Sequence, residues 1–561
     1  MGWKLRSVLI IAWFITTATA WSQEIDKTEE ITVVAPYQPS LEEAYKISLN
    51  PQLPEDAVVK PSFTYRLTDK VHQTSLEAEP IVPARITGES VKKLYRNYVR
   101  LGFGNYTTPY FEFFAGKLRS KESYLGVRLK HLSSSGKIKD YAHPGYSNNL
   151  AELNFKRFFP QHTLSADAGF HRDVVHFYGF QPAGHPGFEY SKKDIRQIYN
   201  KIKGDVAFQS NYMKAGKLNH KLKGSYYYLS DNYSATEHYT GFTASVDKDT
   251  EIFGFTDREN LSVRANLDYY FQSDSLTGSV NDGIISIDPS YRIQFSEYSF
   301  SIGVNTSIET GVNSYMYFYP HLKAEVSVIE NRLITYAGIR GNMKKNSFDR
   351  IRLENPYVSP VFDREFTYNK IEQFGGIKGN IADALQFNLS FSNSTIDNMP
   401  LFVNDTVPVA GDSLHSQFGV IYDDSKYTRL NVHLGYNHDD RITLELNGSY
   451  NSYFMDNEDE AWHKPALEAN LIATYNLRNK ILVRGELFAA GKRFAKSIDN
   501  GETVAVELDG YADVNLGIEY RYTPLLSAFV NFNNILNQQY FHWNRYPSYR
   551  FNFLAGVSYS F

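Results

Sequence analysis

The chain has 561 residues, with 58 Lys and Arg against 62 Asp and Glu, no cysteine, and a mean hydropathy of −0.41. The missing cysteines exclude disulfides, thiolate metal sites and cysteine nucleophiles, and a net charge of −4 argues against nucleic acid as a partner. Past the N-terminus no run approaches the ~20 apolar residues of a membrane helix.

The first 22 residues read as a signal peptide. Lys4 and Arg6 form the positive region, Val8 to Ile15 the apolar region, and Ala18-Thr19-Ala20 a small-residue cleavage site, with Ala20-Trp21-Ser22 a second choice. Residues 23–97 read as an N-terminal periplasmic segment. It opens with the acidic-then-aliphatic stretch Glu29-Glu30-Ile31-Thr32-Val33-Val34-Ala35. Pro36, Pro39, Pro51, Pro54, Pro61, Pro80 and Pro83 follow, and proline at that density prevents sheet pairing. Ser40 is placed to cap a short helix over residues 40–46.

From Tyr98 to Phe561 the dominant signal is alternation with a period of two, the mark of strands with one apolar and one wet face. Leu261, Val263, Ala265 and Leu267 alternate with Ser262, Arg264, Asn266 and Asp268. Ala512, Val514, Leu516, Ile518 and Tyr520 alternate with Asp513, Asn515, Glu519 and Arg521. In the last segment Tyr549, Phe551, Phe553, Ala555, Val557, Tyr559 and Phe561 share a face, opposite Arg550, Asn552, Ser558 and Ser560. Short polar links, such as Glu330 to Arg332 and Leu477 to Lys480, alternate with long ones at Ser134 to Tyr146, Pro182 to Lys193, Asp231 to Asp257, Lys344 to Phe366, Arg493 to Val506 and Leu536 to Pro547.

Aromatic residues make up 15% of the chain, an excess that suits the girdles at both edges of a membrane barrel. The pattern predicts an all-β fold, a transmembrane antiparallel barrel of roughly 22 strands. Up–down parity does not close between about 273 and 424. An array of soluble β-sandwiches is the alternative, but no repeat-length boundaries or Pro/Gly linkers mark one.

Candidate chemistry is sparse. His438 with Asp439 and Asp440 reads as a polar turn, and Asp456 to Glu460 lacks the spacing of a calcium loop. No nucleophile elbow or phosphate-binding loop is present. The reading is therefore of a protein that is not an enzyme and holds no cofactor or metal. The residues opposite the apolar faces, among them Arg264, Asp268, Glu486, Asp513, Glu519, Arg521 and Arg550, are expected to line a hydrated lumen of mixed charge.

Val530 to Asn537, then Tyr540, Pro547, Arg550 and the ending Tyr559-Ser560-Phe561, resemble the close of TonB-dependent receptor barrels, of Bacteroidota type. Val557, Tyr559 and Phe561 resemble the β-signal read by the outer-membrane barrel-assembly machinery. Glu30, Ile31, Thr32, Val33 and Val34 resemble a TonB box, which pairs as an added strand with a periplasmic coupling protein. The resemblance implies an outer-membrane receptor or transporter, with TonB-coupled uptake or passage through a large pore. Its partners would be membrane lipid, the assembly machinery, and a TonB-type protein or an associated lipoprotein. The departure is the plug: such receptors fold well over a hundred residues between box and barrel, and only Pro36 to Asn97 intervenes here. A barrel without its plug is also compatible with a scaffold that anchors periplasmic or surface proteins.

Overall fold

The computed structural model describes residues 95–561, apart from 118–119, 186–188, 213–215, 275–277, 312–313, 331, 382–383, 405–413, 440 and 500–501. The signal peptide, the TonB-box-like stretch and the 40–46 helix lie outside the described residues.

Twenty-two antiparallel strands form one closed sheet, each paired with its neighbour in the chain. The first, Asn97–Gly104, pairs with the last, Asn552–Ser560, and the backbones of Asn97 and Phe561 exchange hydrogen bonds of 3.1 and 2.9 Å at the seam. Among the described residues no helix is long and apolar enough to cross a membrane. Closure leaves every strand with two partners, so the wall has no open edge to satisfy in lipid.

Alternation and register agree across neighbouring strands. Val557 lies opposite Leu101, which lies opposite Phe111, whereas Ser558 lies opposite Arg100, which lies opposite Glu112. Directly opposed residues of an antiparallel pair project to the same side, so an apolar stripe and a polar stripe run around the barrel on opposite faces. Leu101, Phe103, Phe553, Val557 and Tyr559 are all exposed on the apolar side, a band that only lipid would cover.

One rim carries short turns, as at 296–297 and 478–480, and the other carries links as long as 346–365 and 491–510. The second is the outer rim, since barrels of this kind keep their short turns on the periplasmic side. Two outer links hold hairpins of their own, Arg493–Asp499 with Glu502–Leu508 and Phe541–Trp543 with Tyr546–Pro547. Leu385–Val403 and Gly419–His438 have 19 and 20 residues, about twice the ~9–11 that a tilted strand needs to cross lipid. Their upper halves therefore rise beyond the membrane.

Three expectations are corrected. Asp231 to Asp257 is not one long link, because Thr236–Thr250 is a strand. His238 and Thr240 occupy the outward face near its upper end, so apolar alternation starts only at Phe242. The last strand begins at Asn552 rather than Tyr549, which packs instead into a buried cluster at the outer rim. The parity between 273 and 424 resolves into regular up–down strands with register shifts at Ser327/Ile329, Arg340/Asn342, Asn369/Ile371 and Ile396/Met399. Each such irregularity moves the alternation out of phase.

Candidate functional site

The outer rim holds the site. Between the thirteenth strand, Leu333–Lys345, and the fourteenth, Phe366–Ile381, the link 346–365 contains the short helix Phe348–Glu354. The sequence dictates it locally: Ser347 caps it by accepting from the Arg350 amide, Asp349 sits in the first turn and Arg352 in the last. Phe348 and Ile351 are fully buried.

Polar contacts fasten this link to strands far around the ring. Glu237 of the eighth strand accepts from the amides of Phe348 and Asp349 at 2.7 and 3.1 Å. Lys201 of the sixth strand pairs with Asp349 at 2.5 Å, and Arg352 reaches Asp349 at 2.6 Å and Asp173 at 3.3 Å. Farther along, Arg364 pairs with Asp274 at 3.2 Å, and Lys345 pairs with Asp282. The other side of the link meets the opposite arc of the barrel. Val358 forms a parallel bridge with Phe418, Glu354 pairs with Lys464, and Tyr357 stacks on Tyr546 at 3.9 Å between ring centres. A segment that touches the fifth, sixth and eighth strands and also the links at 418, 464 and 546 must run across the opening of a closed ring.

An apolar cluster seals these contacts. Phe177, Tyr178, Phe348, Ile351, Val358, Phe402, Phe418, Trp543 and Tyr546 are buried together. Their hydroxyls find backbone partners in other links: Tyr178 donates to Pro547 O at 3.0 Å, Tyr199 to Pro356 O at 2.9 Å, and Tyr546 to Ser416 O. His463, fully buried, bridges two links: its Nε2 accepts from the Asn544 amide at 3.2 Å, which leaves Nδ1–H to donate to Phe402 O at 3.0 Å. Burial, with Arg493, His542 and Lys464 nearby, pushes its pKa down to about 3, so the ring is neutral. His542, beside Arg493 Nη1 at 3.2 Å, is held down to about 4 by burial and by that guanidinium.

The residues singled out from sequence lie elsewhere. Asp268 accepts from Tyr239 at 2.6 Å, Glu486 from Asn470 at 3.1 Å, and Arg521 lies 3.6 Å from Glu519. Arg264 is exposed, and Asp513 is buried beside its own chain, accepting from the Val514 amide at 2.7 Å. Arg550 sits in the outer link 534–551 and donates to Asn537 O at 3.0 Å and Gln539 at 3.2 Å. These residues are spread over the wall and, for Arg550, the outer link, and do not converge.

His438 lies 3.5 Å from Asp439 in a tight turn. The acidic run 456–460 is used internally: Asp423 accepts from the amides of Asn457 and Glu458, and Glu458 takes Lys496 and the Trp462 indole. Among the described residues no three His, Asp or Glu side chains gather in a metal-holding arrangement.

Glu237, Asp349, Arg352 and Arg364 were not legible as a group. The only local signal was the Ser347 cap ahead of Phe348 and Ile351, which marks a helix where a surface loop was expected.

No family model matches the chain and no curated relative matches it. Solved structures do. The siderophore receptor PirA from Acinetobacter baumannii aligns with a TM-score of 0.62 at 10% identity, covering 84% of this chain and 81% of its own. FpvAI, solved in complex with pyocin S2, gives 0.61 at 14% identity over 84% and 74%. The ferric enterobactin receptor PfeA from Pseudomonas aeruginosa, as a double mutant, gives 0.59 at 14% identity over 83% and 80%. At such identities the shared property is the fold, that of Gram-negative outer-membrane receptor barrels.

Proposed function

We propose that this chain is an outer-membrane receptor that admits a solute through its barrel, with the link 346–365 as the closure of the outer mouth. The observation that carries this reading is the helix Phe348–Glu354, held across the opening by ion pairs and hydrogen bonds to distant strands. A 22-stranded wall leaves a lumen that needs an obstruction. A closure tied by polar contacts and unbroken by covalent cross-links is one that a ligand or partner can release. The structural likeness to siderophore receptors supports the receptor class. The lumenal assignment of Arg264, Asp268, Glu486, Asp513, Glu519 and Arg521 belongs to the same proposal, as does the β-signal role of Val557, Tyr559 and Phe561; Arg550 lies in the outer link instead.

Energy coupling through Glu30 to Val34 is part of the proposal and rests on the sequence motif alone. The test is a cysteine at Thr32, unambiguous in a chain without native cysteine. Cross-linking in intact cells to a TonB-type protein, abolished by Val33→Pro because proline removes an amide donor and fixes φ, is the expected result. Cross-links only to another periplasmic or surface protein would replace uptake with the scaffold role.

A further inference from the structure

The link 251–257 joins the eighth strand, Thr236–Thr250, to the ninth, Arg258–Asp274, at the periplasmic rim. Its apolar side chains are open: Ile252 is 66% exposed, Phe253 42% and Phe255 72%. Its charged residues, Glu251 and Asp257, stand only at its ends. Bared apolar side chains clustered in this way mark contact with a partner or a membrane.

The footing of the turn shows where it lies. Glu259 accepts from the amides of Ile252 and Phe253 at 2.7 and 2.8 Å. It also accepts from the hydroxyls of Thr256 at 2.6 Å and Tyr291 at 2.5 Å. Four charge-assisted bonds to a carboxylate only 1% exposed hold the link in one shape. Both footing residues belong to the outward face. Tyr291 lies opposite Leu261, which is exposed on the apolar stripe, and Glu259 precedes Leu261 by two residues in an unbroken register. The link therefore folds back over the outside of the barrel wall.

That position selects lipid as the occupant. Leu261 to Phe271 covers the ~9–11 residues that a tilted strand uses to cross a bilayer, so Glu259 stands at the periplasmic edge of the hydrocarbon. A bare carboxylate is costly there; the turn covers it and presents Ile252, Phe253 and Phe255 instead. This surface is continuous with the lipid-facing wall. Phe255 meets Phe295 at 6.3 Å between ring centres, and Phe295 stacks on Phe300 at 6.1 Å. Phe300, opposite Ile293 and through it in register with Glu259, is exposed on the outward face. Lys248 is exposed opposite Leu261, and its long stem carries an ammonium toward headgroup phosphates. We infer that the turn 251–257 is a membrane anchor that inserts Ile252, Phe253 and Phe255 into the phospholipid of the periplasmic leaflet. Strand aromatics form the usual girdle of a barrel; here a folded turn extends it.

The anchor is independent of whether the barrel passes a solute. The test uses the full-length protein in vesicles of phosphatidylethanolamine and phosphatidylglycerol. A side chain added at Gly254 meets nothing within 4 Å. Gly254→Cys, the only cysteine in the chain, therefore carries a fluorophore between Phe253 and Phe255 without removing either. Lipid bearing a nitroxide just below the headgroup should quench that label about threefold more than aqueous iodide does, as for a side chain seated at the headgroup boundary. Ile252→Ser, Phe253→Ser and Phe255→Ser together should reverse the preference. If that variant fails to assemble, Phe255→Ser alone should shift the preference toward iodide. Stronger quenching by iodide in the labelled protein, or a preference unchanged by the serine variants, would overturn the assignment. Protection from iodide in cells but not in the lipid-only vesicles would also overturn it, in favour of a protein partner.

Discussion

The carboxylate of Glu237 and the amide of Phe348 meet at 2.7 Å, joining the eighth strand to the helix that crosses the outer mouth. The two residues are 111 positions apart in the chain. The same carboxylate holds the Asp349 amide, and its residue is fully buried, so the contact is charge-assisted and water-free.

Glu237→Ala leaves two buried amides without an acceptor, a loss of ~1–3 kcal/mol for each by the usual cost of such groups. The expected outcome is a loosened closure, seen as larger and more frequent openings in planar-bilayer recordings and faster proteolysis within 346–365. Glu237→Gln keeps one acceptor and should fall between. Openings in Glu237→Ala identical to the parent would show that this link does not occlude the mouth.

Acid should loosen the same region through His463. Its folded pKa of about 3 lies below the ordinary 6.5, so between those values the unfolded segment binds a proton that the folded one does not. By linkage the stabilisation is fully present above about 6.5 and is lost progressively as pH falls toward 3. His542, held down to about 4, acts in the same direction. Proteolysis of the links around 404–418 and 534–551 should therefore accelerate between pH 7 and 4. His463→Gln should show a shallower pH dependence, and an unchanged slope would remove His463 from the account.

The apolar stripe predicts an asymmetry between Val557 and Arg550. Val557→Arg places a charge where only lipid covers the wall and should cost ~2–4 kcal/mol near the bilayer middle. Arg550→Ala removes exposed hydrogen bonds to Asn537 and Gln539 and should stay within ~1 kcal/mol. Urea titrations of both variants in lipid check the order, and equal costs would mean that the facing is wrong.

The seam makes Phe561 a test of assembly. Its amide and carbonyl both pair with Asn97, so deleting it removes the last rung between the first and last strands. The deletion should lower the amount of heat-modifiable barrel in outer-membrane fractions. Normal levels would separate the terminal residue from assembly.

Much of the wall was legible in the sequence. Phe553, Val557 and Tyr559 announced one face of a strand by spacing alone, because a strand's side chains alternate whatever the strand pairs with. Legibility failed where that local rule was interrupted. Between Ser327 and Met399 four register shifts break the phase, and in Thr236–Thr250 polar residues occupy the outward positions near the rim.

The all-β class and the division into apolar and polar stripes were thus determined by the sequence by itself, since both follow from residues two apart. The obstruction of the mouth by Phe348–Glu354, its fastening to Asp173, Lys201 and Glu237, and the folding of the turn 251–257 over Glu259 and Tyr291 were decided only by the tertiary structure. Those partners come from different strands and links of the ring, and their meeting depends on how the closed register of all 22 strands sets the rim, which no local pattern encodes.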